Sequence, residues 1–121
     1  MSKIGGVANW VLRASVLVTS NQLSYSPSYR FAGQLIRVSV RGKFAKTWRR
    51  GGYLTASTLS NYQLANKLLL IGDNILRIPA IEPYRVTIYP VKWVPYLTRF
   101  SIYAYNGPPL TEEEMVEIRS I

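Results

Sequence analysis

Residues 35–40 read LIRVSV, and this stretch decides the fold class because apolar and polar side chains alternate strictly along it. Successive side chains of a β-strand point to opposite faces of a sheet, so the stretch has two distinct faces. The apolar face holds Ile36, Val38 and Val40, and the polar face holds Arg37, Ser39 and Arg41. The pattern predicts a strand with one face in the core and a cationic face turned outward.

The same alternation recurs twice towards the C-terminus, in residues 84–89 (YRVTIY) and 99–105 (RFSIYAY). Both segments therefore predict strands with one buried face. The inward residues are Val86 and Ile88 in the first segment, and Phe100, Ile102 and Ala104 in the second.

Turn residues separate further strands. Gly72-Asp73-Asn74 predicts a turn before a strand over 75–78, because these residue types favour tight turns. Gly51-Gly52 predicts the turn of a hairpin that joins 43–49 to 53–58, since glycine supplies the positive φ that such turns need.

Two segments fit more than one structure. Residues 10–19 (WVLRASVLVT) place alternate apolar side chains on one face of a strand, whereas a helix would align a different set. The strand set is Trp10, Leu12, Ala14, Val16 and Val18, and the helix set is Val7, Trp10, Ala14 and Leu17. The β-branched content favours the strand. Residues 57–70 fit either a short helix or a strand over 67–71.

The remaining segments have other signatures. Residues 20–34 are rich in Ser, Tyr, Pro and Gly and predict a long loop, which in a small domain is usually functional or lies against a partner. Residues 91–94, bracketed by two prolines, predict an edge strand or an irregular link. Thr111 with Glu114 three residues later forms a capping box, which predicts a short C-terminal helix.

Together these patterns predict an all-β, mainly antiparallel fold. We expect a small β-sandwich or barrel of six to eight short strands, with a long loop in the N-terminal half and a short C-terminal helix. The length suits one domain. We expect residues 1–110 to form a single basic β-rich domain and residues 111–121 an acidic C-terminal helix or tail.

The charge is unevenly divided along the chain. No carboxylate precedes Asp73, yet the first 72 residues carry ten Lys and Arg side chains. Residues 1–110 hold fourteen cations and two carboxylates, a net of +12, whereas residues 111–121 have a net of −3. So one-sided a body predicts an anionic partner. The acidic segment would be attracted either to its own body or to a neighbouring copy.

Catalytic chemistry has few candidate residues. Histidine and cysteine are absent, and the only carboxylates before residue 111 are Asp73 and Glu82. Asp73 lies in a predicted turn and Glu82 precedes a proline, so both have structural explanations. Serine and tyrosine nucleophiles with a lysine base stay open in principle. We expect no enzyme activity, no metal site, no cofactor and no small-molecule substrate.

A basic stretch over residues 37–50 is the main candidate site. It combines six cations with aromatic side chains, which suits contact with phosphates or carboxylates. The patch residues are Arg37, Arg41, Lys43, Lys46, Trp48, Arg49 and Arg50. They predict either an interface with other subunits or a nucleic-acid-binding surface, although no sequence motif of a known nucleic-acid-binding module accompanies them.

The preference for arginine favours protein contacts. Ten arginines stand against five lysines, and Arg and Tyr are enriched at interfaces. Two Tyr- and Pro-containing segments, 23–31 and 89–96, predict arms that lie on neighbours. The candidate arm residues are Tyr25, Tyr29, Arg30, Trp93 and Tyr96.

These features together favour a non-catalytic structural subunit of a large assembly, such as a capsid, decoration or tail protein of a virus or phage. Its partners would be copies of itself or other subunits, with nucleic acid as the alternative. No signal peptide or membrane-spanning segment is apparent in the sequence, so we expect a soluble protein of the virion or the cytoplasm, with no membrane partner.

Overall fold

The computed structural model of the chain describes residues 9–18, 24–33, 35–42, 50–79, 83–90 and 98–107. These residues form seven β-strands, and every strand pairing among them is antiparallel. The strands are β1 (Trp10–Leu17), β2 (Leu35–Arg41), β3 (Arg50–Thr58), β4 (Gln63–Leu70), β5 (Gly72–Arg77), β6 (Tyr84–Pro90) and β7 (Arg99–Tyr105). The predicted all-β, antiparallel class is confirmed. The predicted C-terminal helix and the link over 91–94 lie outside the described residues.

The strands form two sheets. Sheet A has the order β1-β7-β2-β5, and sheet B has the order β4-β3-β6. Apolar side chains from both sheets meet in one core, which includes Val38 and Ile102 from sheet A and Leu54 and Ile88 from sheet B, all 0% exposed. The described strands do not close into a barrel, because the two sheets stay separate.

The strands with strict alternation are as predicted. In β2, β6 and β7 every residue predicted to face inward is buried. β2 and β7 are the two central strands of sheet A, so even the outward Ser39 is only 8% exposed. Burial of one complete face is why period two was a reliable signal in these segments.

β1 is a strand, but its predicted single apolar face is wrong. The register with β7 shifts between Leu12 and Ala14, so the strand contains a bulge. A bulge adds one residue and reverses the faces that follow it. Trp10 and Leu12 therefore lie on the outer face of sheet A, where Leu12 is 53% exposed, while Ala14 and Val16 pack against the core.

The predicted turn at Gly51-Gly52 is also wrong, because both glycines lie inside β3. The register with β4 shifts between Arg50 and Gly52, and Gly52 has φ +147°. A side chain at Gly52 would collide with the Tyr89 carbonyl oxygen and come within 3.0 Å of the Pro90 Cα atom. The glycines permit close strand approach at a bulge, which a sequence pattern does not distinguish from a turn.

Residues 57–70 resolve as the end of β3, a short turn and β4. The Thr58 N–H donates to the Tyr62 carbonyl at 2.8 Å, and Asn61 takes a positive φ of 71°. Asparagine tolerates this conformation better than other side-chain-bearing residues. The helical alternative for this segment is therefore excluded.

Gly72 marks a crossing between the sheets rather than a hairpin turn. β4 ends at Leu70 in sheet B, and β5 begins at Gly72 in sheet A, with φ +114° at Gly72. The Asn74 side chain, 1% exposed, satisfies the backbone around this crossing. Its Oδ1 accepts from the Leu70 N–H at 2.9 Å, and its Nδ2 donates to the carbonyls of Leu70 at 2.9 Å and Val38 at 3.0 Å.

The described part of the predicted loop 20–34 is held against sheet B. Tyr25 exchanges two backbone hydrogen bonds with Ile88, each of 2.8 Å, and Phe31 exchanges two with Tyr84. These bridges lie along the side of β6 that does not pair with β3. Phe31 is 0% exposed and belongs to the core. The segment thus covers an edge of sheet B.

We expect Asn74→Ala to lower the free energy of unfolding by about 2–4 kcal/mol, because it leaves several buried backbone groups without partners. Urea-induced unfolding followed by circular dichroism measures the change. Asn66→Ala, on the exposed face of β4, is the control and should change stability by less than about 0.5 kcal/mol. Equal effects of the two substitutions would contradict this role of Asn74.

Two glycines with positive φ provide a matched pair for a second test. Gly33 has φ +85°, and an added methyl group would meet no atom of the described residues within 4 Å, whereas at Gly52 it would meet backbone. Gly33→Ala should cost about 1 kcal/mol, the penalty of the left-handed backbone alone. Gly52→Ala should cost several times more or prevent folding, as judged by thermal unfolding. A cost for Gly52→Ala no larger than for Gly33→Ala would show that the bulge is not needed.

Candidate anion-contact surface

The outer face of sheet A carries two chemically different patches. Nearest the start of β1 lies an aromatic patch, and nearest the start of β7 lies an arginine–serine patch. The aromatic patch is Trp10, Leu35, Ile75, Tyr103 and Tyr105. The arginine–serine patch is Ser15, Ser39, Arg41, Arg99 and Ser101, which the register of β1, β7 and β2 brings into two adjoining rows.

The serine row consists of directly paired residues on three neighbouring strands. Ser15 opposes Ser101, and Ser101 in turn opposes Ser39. The Ser15 and Ser101 hydroxyl oxygens are 3.2 Å apart, and Arg99 Nη1 donates to Ser15 Oγ at 2.9 Å. Hydroxyl and guanidinium donors therefore share one small area of the sheet.

The two arginines of the patch stand directly opposite one another on the central strands β2 and β7. Like charges in this position are destabilising. Arg41 Nη2 also donates to Asp73 Oδ1 at 2.9 Å, but the two side chains are 58% and 46% exposed. An exposed ion pair contributes about 0–1 kcal/mol. Two cations against one carboxylate leave the patch net positive and suited to an oxyanion, since guanidinium groups bind carboxylate and phosphate oxygens in pairs.

Arg37, which the sequence placed with Arg41, lies outside this patch. Its guanidinium carbon is 4.3 Å from the centre of the Tyr103 ring and 5.5 Å from that of Trp10. Arg37 is half-buried, and its Nε has no hydrogen-bond acceptor among the described residues. The side chain therefore belongs to the aromatic patch, held by cation–π contacts.

The rest of the sequence-predicted patch is only partly described. Lys43, Lys46, Trp48 and Arg49 lie outside the described residues, and Arg50 is described by its backbone alone. The residues that flank this stretch, Arg41 and Arg50, begin or end strands at the same end of the two sheets as Arg99. The basic stretch is thus connected to the chain at the end of the molecule that carries the arginine–serine patch.

The predicted arm residues divide similarly. Trp93 and Tyr96 lie outside the described residues, whereas Tyr25 and Tyr29 pack against the core of their own chain. The Tyr29 ring contacts Phe31 at 4.7 Å between centres, and the Arg13 guanidinium lies 5.0 Å from it. Arg30 is exposed and donates to the Ser28 carbonyl at 2.9 Å. The two tyrosines therefore bury much of their surface within the subunit.

The sequence analysis overlooked four residues of this face: Ser15, Arg99, Ser101 and Tyr103. Alternation in 99–105 does place three of them outward. Their proximity to Arg41 and Arg37 depends on β7 pairing with β2, which is distant in sequence. Local pattern carries no information on such pairing.

The outer face of sheet B is different, with aromatic and hydroxyl side chains in place of the arginine–serine pairs. Tyr53 and Tyr89 are directly opposite on β3 and β6 and are 48% and 44% exposed. Thr55 and Thr87 form the next pair. Arg85, at one end of this face, donates to Asn61. Exposed tyrosines of this kind suit protein contacts.

Other kinds of site find little support in the described ranges. No three His, Cys, Asp or Glu side chains of those ranges form a group that could hold a metal ion. Asp73 is exposed and paired with Arg41, while Glu82 lies outside the described residues. No helix in the part of the chain that the structure describes is long and apolar enough to cross a membrane.

Comparisons with known proteins give no family for this chain. No protein-family model, no curated protein and no solved structure matches it.

Tyr84 is the one described group with a clearly shifted pKa. Burial, and to a smaller extent the neighbouring Tyr29, raises the pKa of its phenol above the usual value. The hydroxyl is buried and has no hydrogen-bond partner among the residues that the structure describes. A buried unpaired hydroxyl costs about 1–3 kcal/mol, so this tyrosine contributes as an apolar core ring.

We therefore expect Tyr84→Phe to leave stability at pH 7 unchanged or higher. The unfolded tyrosine ionises near pH 10 and the folded one only at higher pH, so the wild-type fold loses stability as the pH rises above about 10. Tyr84→Phe should make this loss shallower, as measured by urea unfolding between about pH 9 and 11. Tyr62→Phe, at a residue 70% exposed, is the control. A stability at pH 7 clearly below that of the wild type would indicate a hydrogen bond at this hydroxyl.

Proposed function

We propose that this protein is a non-catalytic structural subunit of a large assembly, most simply a component of a virus or phage particle. We infer that its two sheets pack face to face as a small β-sandwich whose outer faces meet neighbours. The observation that carries the proposal is the opposed Arg41–Arg99 pair within the arginine–serine patch. A cross-strand pair of like charges weakens the isolated fold and is explained by a partner that supplies anions.

The sheet edges support contact through faces. β1 carries a bulge, and the open side of β6 is bridged by Tyr25 and Phe31. On the edge strand β4, Lys67 pairs with the fully buried Leu54 and so lies on the core-facing side. Bulges, inward-pointing charges and covering segments are devices that prevent strand-to-strand association. Neighbours would then bind the outer faces rather than extend the sheets.

Nucleic-acid binding is the second candidate function, and the position of the basic stretch favours it. Residues 43–49 join the described chain beside the arginine–serine patch, so the cations Lys43, Lys46 and Arg49 belong to this end of the molecule. Guanidinium and hydroxyl donors bind phosphate oxygens as readily as carboxylates. The two functions therefore predict different partners for one surface.

Light scattering of the untagged protein at low and high salt, with the absorbance ratio at 260 and 280 nm of the same peak, separates the two. We expect a defined oligomer free of nucleic acid, and its loss in the double variant Arg41→Glu, Arg99→Glu. The control, Arg30→Glu with Arg85→Glu, makes the same change in net charge elsewhere and should keep the oligomer.

Other outcomes would contradict the subunit function. A monomer that carries nucleic acid at low salt and releases it at high salt would favour the second candidate, because phosphate contacts weaken steeply with salt. Loss of the oligomer in the control variant alone would assign the contact to Arg30 or Arg85. Charge reversal at Arg49 and Arg50 extends the same test to the basic stretch.

A further inference from the structure

The aromatic patch is more buried than its position on the sheet explains. Trp10 and Leu35 are 6% and 4% exposed, although both lie on the face of sheet A that points away from the core. The described apolar residues packed against them, Ile75, Tyr103 and Tyr105, are only half-buried. An outward-facing Trp–Leu pair with so little exposure requires a covering layer.

The C-terminal segment joins the chain at the border of this patch. The Asn106 N–H donates to the Asn9 carbonyl at 2.7 Å, which ties the end of β7 to the start of β1. Gly107 then lies so close to Tyr105 that a side chain there would come within 2.6 Å of the Tyr105 hydroxyl oxygen. Residues 108–121 therefore begin beside Trp10 and have a high effective concentration at the patch.

The sequence of this segment complements the patch in shape and charge. Its apolar residues Met115, Ile118 and Ile121 are spaced by three, so they share one side of the helix that the capping box predicts. Four glutamates lie in the same segment. Arg37 at the patch has a buried Nε donor without an acceptor among the described residues, and a carboxylate would supply one.

We propose that residues 108–121 of the same chain dock on the aromatic patch, with Met115 and Ile118 against Trp10 and Leu35 and a glutamate carboxylate near Arg37. The N-terminal residues 1–8 join the chain at the same end but carry no carboxylate, and their one charged side chain is Lys3. Charge complementarity with Arg37 therefore selects the C-terminal segment. Docking also brings the acidic segment to the basic body and leaves the arginine–serine patch for a partner.

Tryptophan fluorescence of the full chain tests this docking. In the background Trp48→Phe, Trp93→Phe, the emission reports Trp10 alone. We expect weak quenching by acrylamide, and a severalfold rise in the quenching constant when Met115→Asp and Ile118→Asp are added. Two apolar contacts are worth at least about tenfold in the docked population, so their loss exposes the indole.

Matched variants identify the occupant. Ile4→Asp with Val7→Asp, the same change in the N-terminal segment, should leave the quenching constant unaltered. Glu112→Gln, Glu113→Gln and Glu114→Gln together should raise it and abolish its dependence on salt, without any disruption of the apolar core. Far-UV circular dichroism verifies that each variant is folded.

Three results would overturn the proposal. A rise only in the N-terminal variant would make residues 1–8 the cover, and no change in any variant would exclude both segments. Quenching that depends on protein concentration would show that a neighbour's segment, rather than the chain's own, covers Trp10.

Discussion

The crossing from sheet B to sheet A at residue 71 is the constraint on which the rest of the structure depends. Two strands of different sheets meet there with a single residue between them, so the sheets are held together at this end. So sharp a crossing exposes backbone groups that strand pairing would otherwise satisfy. The Asn74 side chain replaces that pairing, bonding to Leu70 of β4 and Val38 of β2 at once. A single amide therefore connects both sheets, and the shared core forms around the geometry it stabilises.

This constraint determines what each side of the molecule presents. With the strands fixed in two sheets, one face of every strand supplies the common core and the other supplies an outer face. The edges are unsuited to further pairing, because a bulge in β1, Lys67 in β4 and the segment bridged to β6 each obstruct it. Contact with other molecules is therefore left to the outer faces, where the arginine–serine patch and the exposed tyrosines lie.

The sequence could predict whatever depends on local periodicity. β2, β6 and β7 alternate because one whole face is buried, and their inward residues were predicted correctly. Glycine was misleading at residues 51 and 52, since a bulge and a turn require the same backbone freedom. The site was predictable only as a charged stretch. The opposition of Arg41 to Arg99 depends on pairing between residues 58 positions apart, and Arg37 is diverted by aromatic rings from two other strands.

The difference between the two outer faces bears on how copies could meet. A body with a net charge of +12 repels its copies most strongly where guanidinium groups approach one another. Sheet A, with Arg41 and Arg99 side by side, is therefore the face that requires an anionic partner. Sheet B presents the Tyr53–Tyr89 pair and threonines, and its contacts carry little charge penalty. In the proposed assembly, like subunits would accordingly pack through sheet B while sheet A meets an acidic surface. This asymmetry favours a layered arrangement over a symmetric stack of identical faces.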